Sequence, residues 1–100
     1  MLRTKEPLKD LGKIKIKETK GFSYDITNES PKTVTIDKVT VGCGSCTKAH
    51  LLKKFIEPNG MQQLKVSFTP GTTGPQKKYV NIRYNETESL KVEFTAEVYE

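Results

Sequence analysis

Leu90-Lys-Val-Glu-Phe-Thr-Ala-Glu-Val-Tyr99 alternates without a break. Leu90, Val92, Phe94, Ala96 and Val98 share one parity, and Lys91, Glu93, Thr95 and Glu97 share the other. Successive strand side chains point to opposite faces, so this run reads as a strand with one face in a core and one in water. On a helix the same five apolar residues would be scattered around the axis. A half-apolar strand must bury its face against a second layer.

Working outward, that layer is easy to find. Tyr79 to Tyr84 places Val80, Ile82 and Tyr84 inward, with Tyr79, Asn81 and Arg83 outward, and Asn85 to Ser89 turns the chain into the last strand. Gln62 to Thr69 places Leu64, Val66 and Phe68 inward, between the turn Pro58-Asn59-Gly60 and the loop Pro70 to Pro75. Gly21 to Asn28 does the same with Phe22, Tyr24 and Ile26. Thr33 to Val41 changes phase: Val34 and Ile36 match one parity, Val39 and Val41 the other. A bulge near Asp37-Lys38, or a strand switching sheets there, restores one buried face. In Asp10 to Lys17, Ile14 and Ile16 oppose Lys13, Lys15 and Lys17. Leu51 to Ile56 is too short and mixed to assign. The first nine residues are polar and punctuated by Pro7, and read as an extended arm over 1–9 ahead of a domain over 10–100.

No stretch has a helical period. About seven strands, with turn signals roughly every ten residues, predict an all-β, antiparallel, immunoglobulin-like β-sandwich. The antibody type of core is excluded: the chain has no Trp, and its two cysteines are three positions apart. The predicted core is Phe22, Tyr24, Ile26, Leu64, Val66, Phe68, Val80, Ile82, Leu90, Val92 and Phe94.

One hundred residues make one domain. No apolar run approaches the roughly 20 residues of a membrane helix, so no membrane insertion is expected. Met1 to Pro7 has no apolar core of a secretory leader, so the expected location is the cytoplasm of the producing cell. The net charge is +5. A basic balance suits nucleic acid, anionic membrane or an acidic protein. With no recognition helix, aromatic–basic interleaving or zinc-finger array, sequence-specific nucleic-acid binding is not expected. Most lysines read as the solvated faces of strands. The exception is Arg3, Lys5 and Lys9 on the arm, continued by Lys13, Lys15 and Lys17 on the first strand. Lysines on an outer strand blunt stray pairing, and they also make a docking strip for an acidic protein surface.

Cys43, Cys46 and His50 sit together in a glycine-broken loop. Three readings stand. The default is a pair of reduced thiols in a structural loop. A local disulfide is the second, favoured if the protein ends outside the cell; so small a loop would gain little stability from it. The third is a metal site. Cys43, Cys46 and His50 meet on one face if the segment makes a helical turn, and zinc would then need a fourth ligand from Glu57, water or another chain. Thioredoxin-like work is disfavoured, because no βαβ pattern precedes the Cys-x-x-Cys. Thr47 after Cys46 excludes haem attachment. No phosphate loop or nucleophile elbow is present, and no enzyme activity is expected.

Several short motifs run in a familiar order. They are Asp10-Leu11-Gly12, Ile26-Thr27-Asn28, Cys43-Gly44-Ser45-Cys46-Thr47, Glu57-Pro58-Asn59-Gly60, a strand ending at Phe68, and Gly74 with Lys78. Together they resemble an uncharacterised bacterial immunoglobulin-like family, related in fold to the ASH (Hydin-type) and major-sperm-protein domains. The resemblance spans nearly the whole chain. It departs in the loop, where Cys-Gly-Ser-Cys stands for Cys-Gly-Cys. The leaderless start looks more like a phage-encoded copy, since immunoglobulin-like folds recur on phage heads and tails.

The resulting expectation is a non-enzymatic structural or interaction module bound to a larger protein assembly. The instance favoured is an accessory structural protein of a phage particle, such as a capsid decoration protein, found in the virion on a capsid or tail. The alternatives are a metal- or redox-linked module built on Cys43, Cys46 and His50, with zinc as the cofactor, and a cellular scaffold domain.

Overall fold

Two sheets bury the alternating residues against each other. The computed structural model describes residues 2–42, 44 and 46–100. Among them the strands are β1 (Leu2–Arg3), β2 (Leu8–Lys15), β3 (Lys20–Asn28), β4 (Val34–Val41), β5 (Thr47–Leu51), β6 (Phe55–Ile56), β7 (Met61–Phe68), β8 (Gly74–Tyr84) and β9 (Glu88–Tyr99). One sheet has the order β1-β3-β7-β5 and the other β2-β9-β8-β4-β6. The expected all-β sandwich is what forms.

The long antiparallel ladders follow the apolar parity. β3 pairs with β7 from Lys20 opposite Phe68 to Thr27 opposite Met61. β8 pairs with β9 from Gly74 opposite Val98 to Tyr84 opposite Glu88. Tyr24, Ile26, Leu64, Val66, Phe68, Val80, Ile82, Val92 and Phe94 are all buried. Phe22 and Leu90 are only partly buried and pack against the margin of this core. Phe94 sits edge-on to Phe22 and Phe68, with ring centroids 4.9 and 5.1 Å away.

The phase change in β4 is a bulge. Its register against β8 shifts between Ile36 and Lys38, as the parity requires. Asp37 is the extra residue, and its carboxylate accepts the Glu86 N–H at 2.6 Å. That bond supports a turn in which Asn85 and Glu86 both have positive φ, at 47° and 64°. Arg83 adds two guanidinium bonds to the Glu86 carbonyl.

The start of the chain departs from expectation twice. Of the arm expected over 1–9, the described residues 2–9 do not stand outside the domain: Leu2 is buried, and β1 pairs antiparallel with the end of β3. The chain then crosses to the other sheet, where the Pro7 carbonyl accepts the Glu93 N–H at 2.6 Å. Having crossed, β2 runs parallel to β9, so the sandwich is antiparallel except at this pair. Short-range alternation carries no information on that direction. The β2 register shifts between Asp10 and Lys13. Gly12 has φ +74°, a conformation glycine adopts without penalty, and its N–H is held by the Asp10 carboxylate at 2.9 Å.

Candidate interaction surfaces

The six expected partner-binding cations do not form one strip. Lys13 and Lys15 are exposed on β2, the outermost strand of the five-stranded sheet. Lys17 follows in the turn with φ 69°, its N–H bonded to the Pro70 carbonyl. These three share an edge. Arg3 belongs to the opposite sheet and faces Glu29 at 3.5 Å. The bulge at Gly12 reverses the parity, so Lys9 turns inward. Its Nζ lies 5.4 Å from the Tyr24 ring centroid and 3.7 Å from the Glu6 carboxylate. Lys5 is exposed beside a groove of about 320 Å³ that Tyr24, Asp25 and Gln63 also line. On the outer face behind β2, Lys77 already pairs with Glu93 at 3.4 Å.

Tyr24 reaches through the sandwich and donates its hydroxyl to the Glu93 carbonyl. Burial, and then the Glu93 carboxylate, push its phenol far above the usual range. It is a locked structural group, not an acid or base for chemistry near neutrality.

The cysteine loop has a different chemistry from the expected reduced pair. Cys46 is disulfide-bonded, and its side chain packs against the core. Cys43 and Ser45 lie outside the described residues. The helical turn that would gather Cys43, Cys46 and His50 is replaced by β5, in which Thr47 is buried and His50 is exposed. A sulfur in a disulfide offers no thiolate to a metal. Among the described residues, no group of three His, Cys, Asp or Glu is arranged to hold a metal ion. No helix among the described residues is long and apolar enough to cross a membrane.

The open edges were not legible in the sequence, because strand order is not. β2 and β6 end one sheet; β1 and β5 end the other. Near β5 lies an exposed apolar group: Leu52, Met61 and Phe55 are 86%, 62% and 44% exposed. Between β4 and β5 runs a groove of about 210 Å³, lined in part by Val39, Ala49, Leu51, Lys38, Lys53 and Lys54.

The recurring motifs turn out to build the fold. Asp10 and Gly12 make the β2 bulge. Asn28 is fully buried; its amide donates to the carbonyls of Lys32, Ile56 and Glu57, and its Oδ1 accepts from Ser30. It thus ties the end of β3 to two turns. Gly60 allows the Glu57 carbonyl to come within 2.9 Å of where a Cβ would stand.

Solved structures share this architecture at low identity. A protein of unknown function from Porphyromonas gingivalis superposes with a TM-score of 0.81 at 17% identity; the match covers 96% of this chain and 46% of that one. This chain therefore spans under half the length of that protein. The ASH/PapD-like domain 7 of human CEP192 gives 0.70 at 12% identity, covering 99% of this chain and 85% of that one. The major-sperm-protein family member WR4 of Caenorhabditis elegans gives 0.65 at 14%, covering 99% and 98%. These likenesses bear out the expected fold relationship and show the fold alone. No curated protein matches the chain. A family model described as a protein of unknown function, DUF1573, matches residues 2–98, nearly the full length, and the chain belongs to that family.

Proposed function

We propose that this chain is a non-enzymatic interaction module that docks on a larger protein assembly through its β2 edge. The observation that carries this reading is the edge itself. Lys13 and Lys15 are exposed on the outermost strand, Lys17 is exposed just after it, and none of the three has an ion pair among the described residues. Free backbone groups of an outer strand can add a partner strand, and the lysines select an acidic one. The instance we favour is an accessory structural protein of a phage particle, such as a capsid decoration protein carried into the virion. Its support is the recurrence of such folds on phage particles and the Cys46 disulfide, which suits a protein meeting an oxidising exterior.

The test is recovery of the chain with its assembly from producing cells. Wild type should be shed as salt rises, because exposed charges are screened over about 8 Å at physiological salt. The variant Lys13→Glu, Lys15→Glu, Lys17→Glu should be absent from the assembly while remaining folded. Wild-type occupancy of that variant would refute docking at β2. For the phage instance, head or tail genes beside this one support it, and a periplasmic operon sinks it.

A further inference from the structure

A second open edge lies on the opposite side of the sandwich, at β5. Thr69 donates its N–H to the Cys46 carbonyl. Pairs in an antiparallel ladder alternate between bonded and non-bonded. With Thr47 opposite Phe68 and Leu51 opposite Leu64, the N–H and C=O groups of Ala49 and Leu51 therefore turn away from β7. Among the described residues no strand lies beyond them, since β5 ends its sheet. The facing edge of β4 is open beyond Ile36: β6 covers Val34 and Thr35, and the Ile36 N–H is bonded to the Lys54 carbonyl.

Between these two edges the groove floor is apolar and half-buried. Val39, Ala49 and Leu51 line it and pack against the core from the outside while only partly buried. Lys38, Lys53 and Lys54 stand around it. None of the three has an ion pair among the described residues. The one carboxylate lining the groove, Asp37, already accepts the Glu86 N–H. The site thus offers strand donors and acceptors, an apolar floor and a net positive charge, three lysines against one carboxylate.

We propose that the β5 edge and the β4–β5 groove bind an extended acidic segment of a partner protein by strand addition, with one apolar side chain seated on Val39 and carboxylates facing Lys38, Lys53 and Lys54. Charge complementarity selects this occupant. A second copy of the chain carries +5 and would bring lysines to lysines. A proline-rich segment could not supply the N–H donors of an added strand. The proposal rests on the reading of the chain as an interaction module but uses a different edge, so the β2 lysine variant leaves it intact.

The probe is a synthetic hexapeptide of alternating aspartate and valine, titrated into the ¹⁵N-labelled protein. The Ala49 and Leu51 amides should shift and exchange more slowly with solvent on binding, and affinity should fall as salt rises. Two variants test the geometry. Ala49→Pro removes an outward N–H while keeping the β5–β7 ladder, and proline is tolerated at such an edge position. Lys38→Glu, Lys53→Glu, Lys54→Glu reverses the charge. Each should weaken binding at least about tenfold, the scale set by about 1.4 kcal/mol, with the thermal transition of the free protein retained. A lysine–valine hexapeptide should not bind. The proposal is overturned if no shift occurs at millimolar peptide, if the shifts map to β2 or β3, or if both variants bind as wild type. It is also overturned if amide protection at Ala49 tracks protein concentration without peptide, which would make the occupant a second copy.

Discussion

Phe94 has no exposed surface and meets two other rings edge-on, so its removal leaves a cavity the sheets cannot close. Phe94→Ala should lose about 3–5 kcal/mol in urea unfolding; a folded variant losing under about 1 kcal/mol would mean the packing is not as described. Alternation alone identified this residue, because a strand has only two faces. Alternation is silent on Asn28, which is polar yet wholly buried. Its side chain is spent on three carbonyls and on Ser30, and nothing in hydrophobic pattern distinguishes it from a turn asparagine. Asn28→Asp should therefore be more damaging than Phe94→Ala per atom changed. It places a buried carboxylate against carbonyl oxygens, at a cost of about 3–5 kcal/mol for an uncompensated charge. That carboxyl's folded pKa is raised, so the deficit should shrink as pH falls toward about 4. A deficit that is constant with pH would show that the site admits water. Tyr24 makes the opposite test. Its folded pKa lies above its unfolded value near 10, so its contribution is full below about pH 10 and is lost as pH rises beyond it. In Tyr24→Phe that part of the alkaline loss should vanish from the unfolding profile.

At the scale of elements, β4 shows how far pattern reasoning reaches. Its broken parity located the bulge, since Val34 and Val39 cannot share a face on a regular strand. β2 shows where it stops. Its isoleucines and lysines named the strand, but Lys9 was placed with Lys13 and Lys15, whereas Gly12 flips the parity between them. The Asp-x-Gly pair was visible, yet its meaning needs the φ of +74° that only the fold reveals. β1 was missed for a different reason. Two residues have no period, and Leu2 is buried only because Tyr84 and β3 are brought to it from far along the chain. β5 lay in a segment read as a loop, in which only the metal reading called for a helical turn; its pairing is with β7, decided by register rather than by local preference. If the Gly12 bulge is what aims Lys13 and Lys15 outward, Gly12→Val should destabilise the protein by about 1–3 kcal/mol through strain at positive φ. It should also disturb the Lys13 and Lys15 amides more than those of β8. There is open space around Gly12, so steric crowding would not explain the loss. An unchanged stability would mean that the bulge is not held in that conformation.

For the whole molecule, the two ends of the chain close the structure together. β2 rests on β9, and β1 caps the opposite sheet beside β3. Removing residues 2–9 is therefore not a clean way to detach the protein from a partner. It strips the buried Leu2, the Pro7 bond to Glu93 and the first pairs of β2. Burial of a leucine alone is worth about 1.5–3 kcal/mol, a large share of the stability of a domain this size. The truncated chain should show a lower thermal midpoint whatever it binds. The lysine variant separates the two effects. Lys13, Lys15 and Lys17 are exposed, and each exchange to glutamate moves the charge by two units, taking +5 to −1. Exposed charges contribute little to stability, so the thermal midpoint should stay within about 4–8 °C, the shift that about 1 kcal/mol sets in a domain of this size. Release from the assembly at unchanged midpoint then reports binding alone. Release accompanied by a midpoint as low as that of the truncated chain would instead make β2 a structural strand whose loss merely unfolds the sandwich.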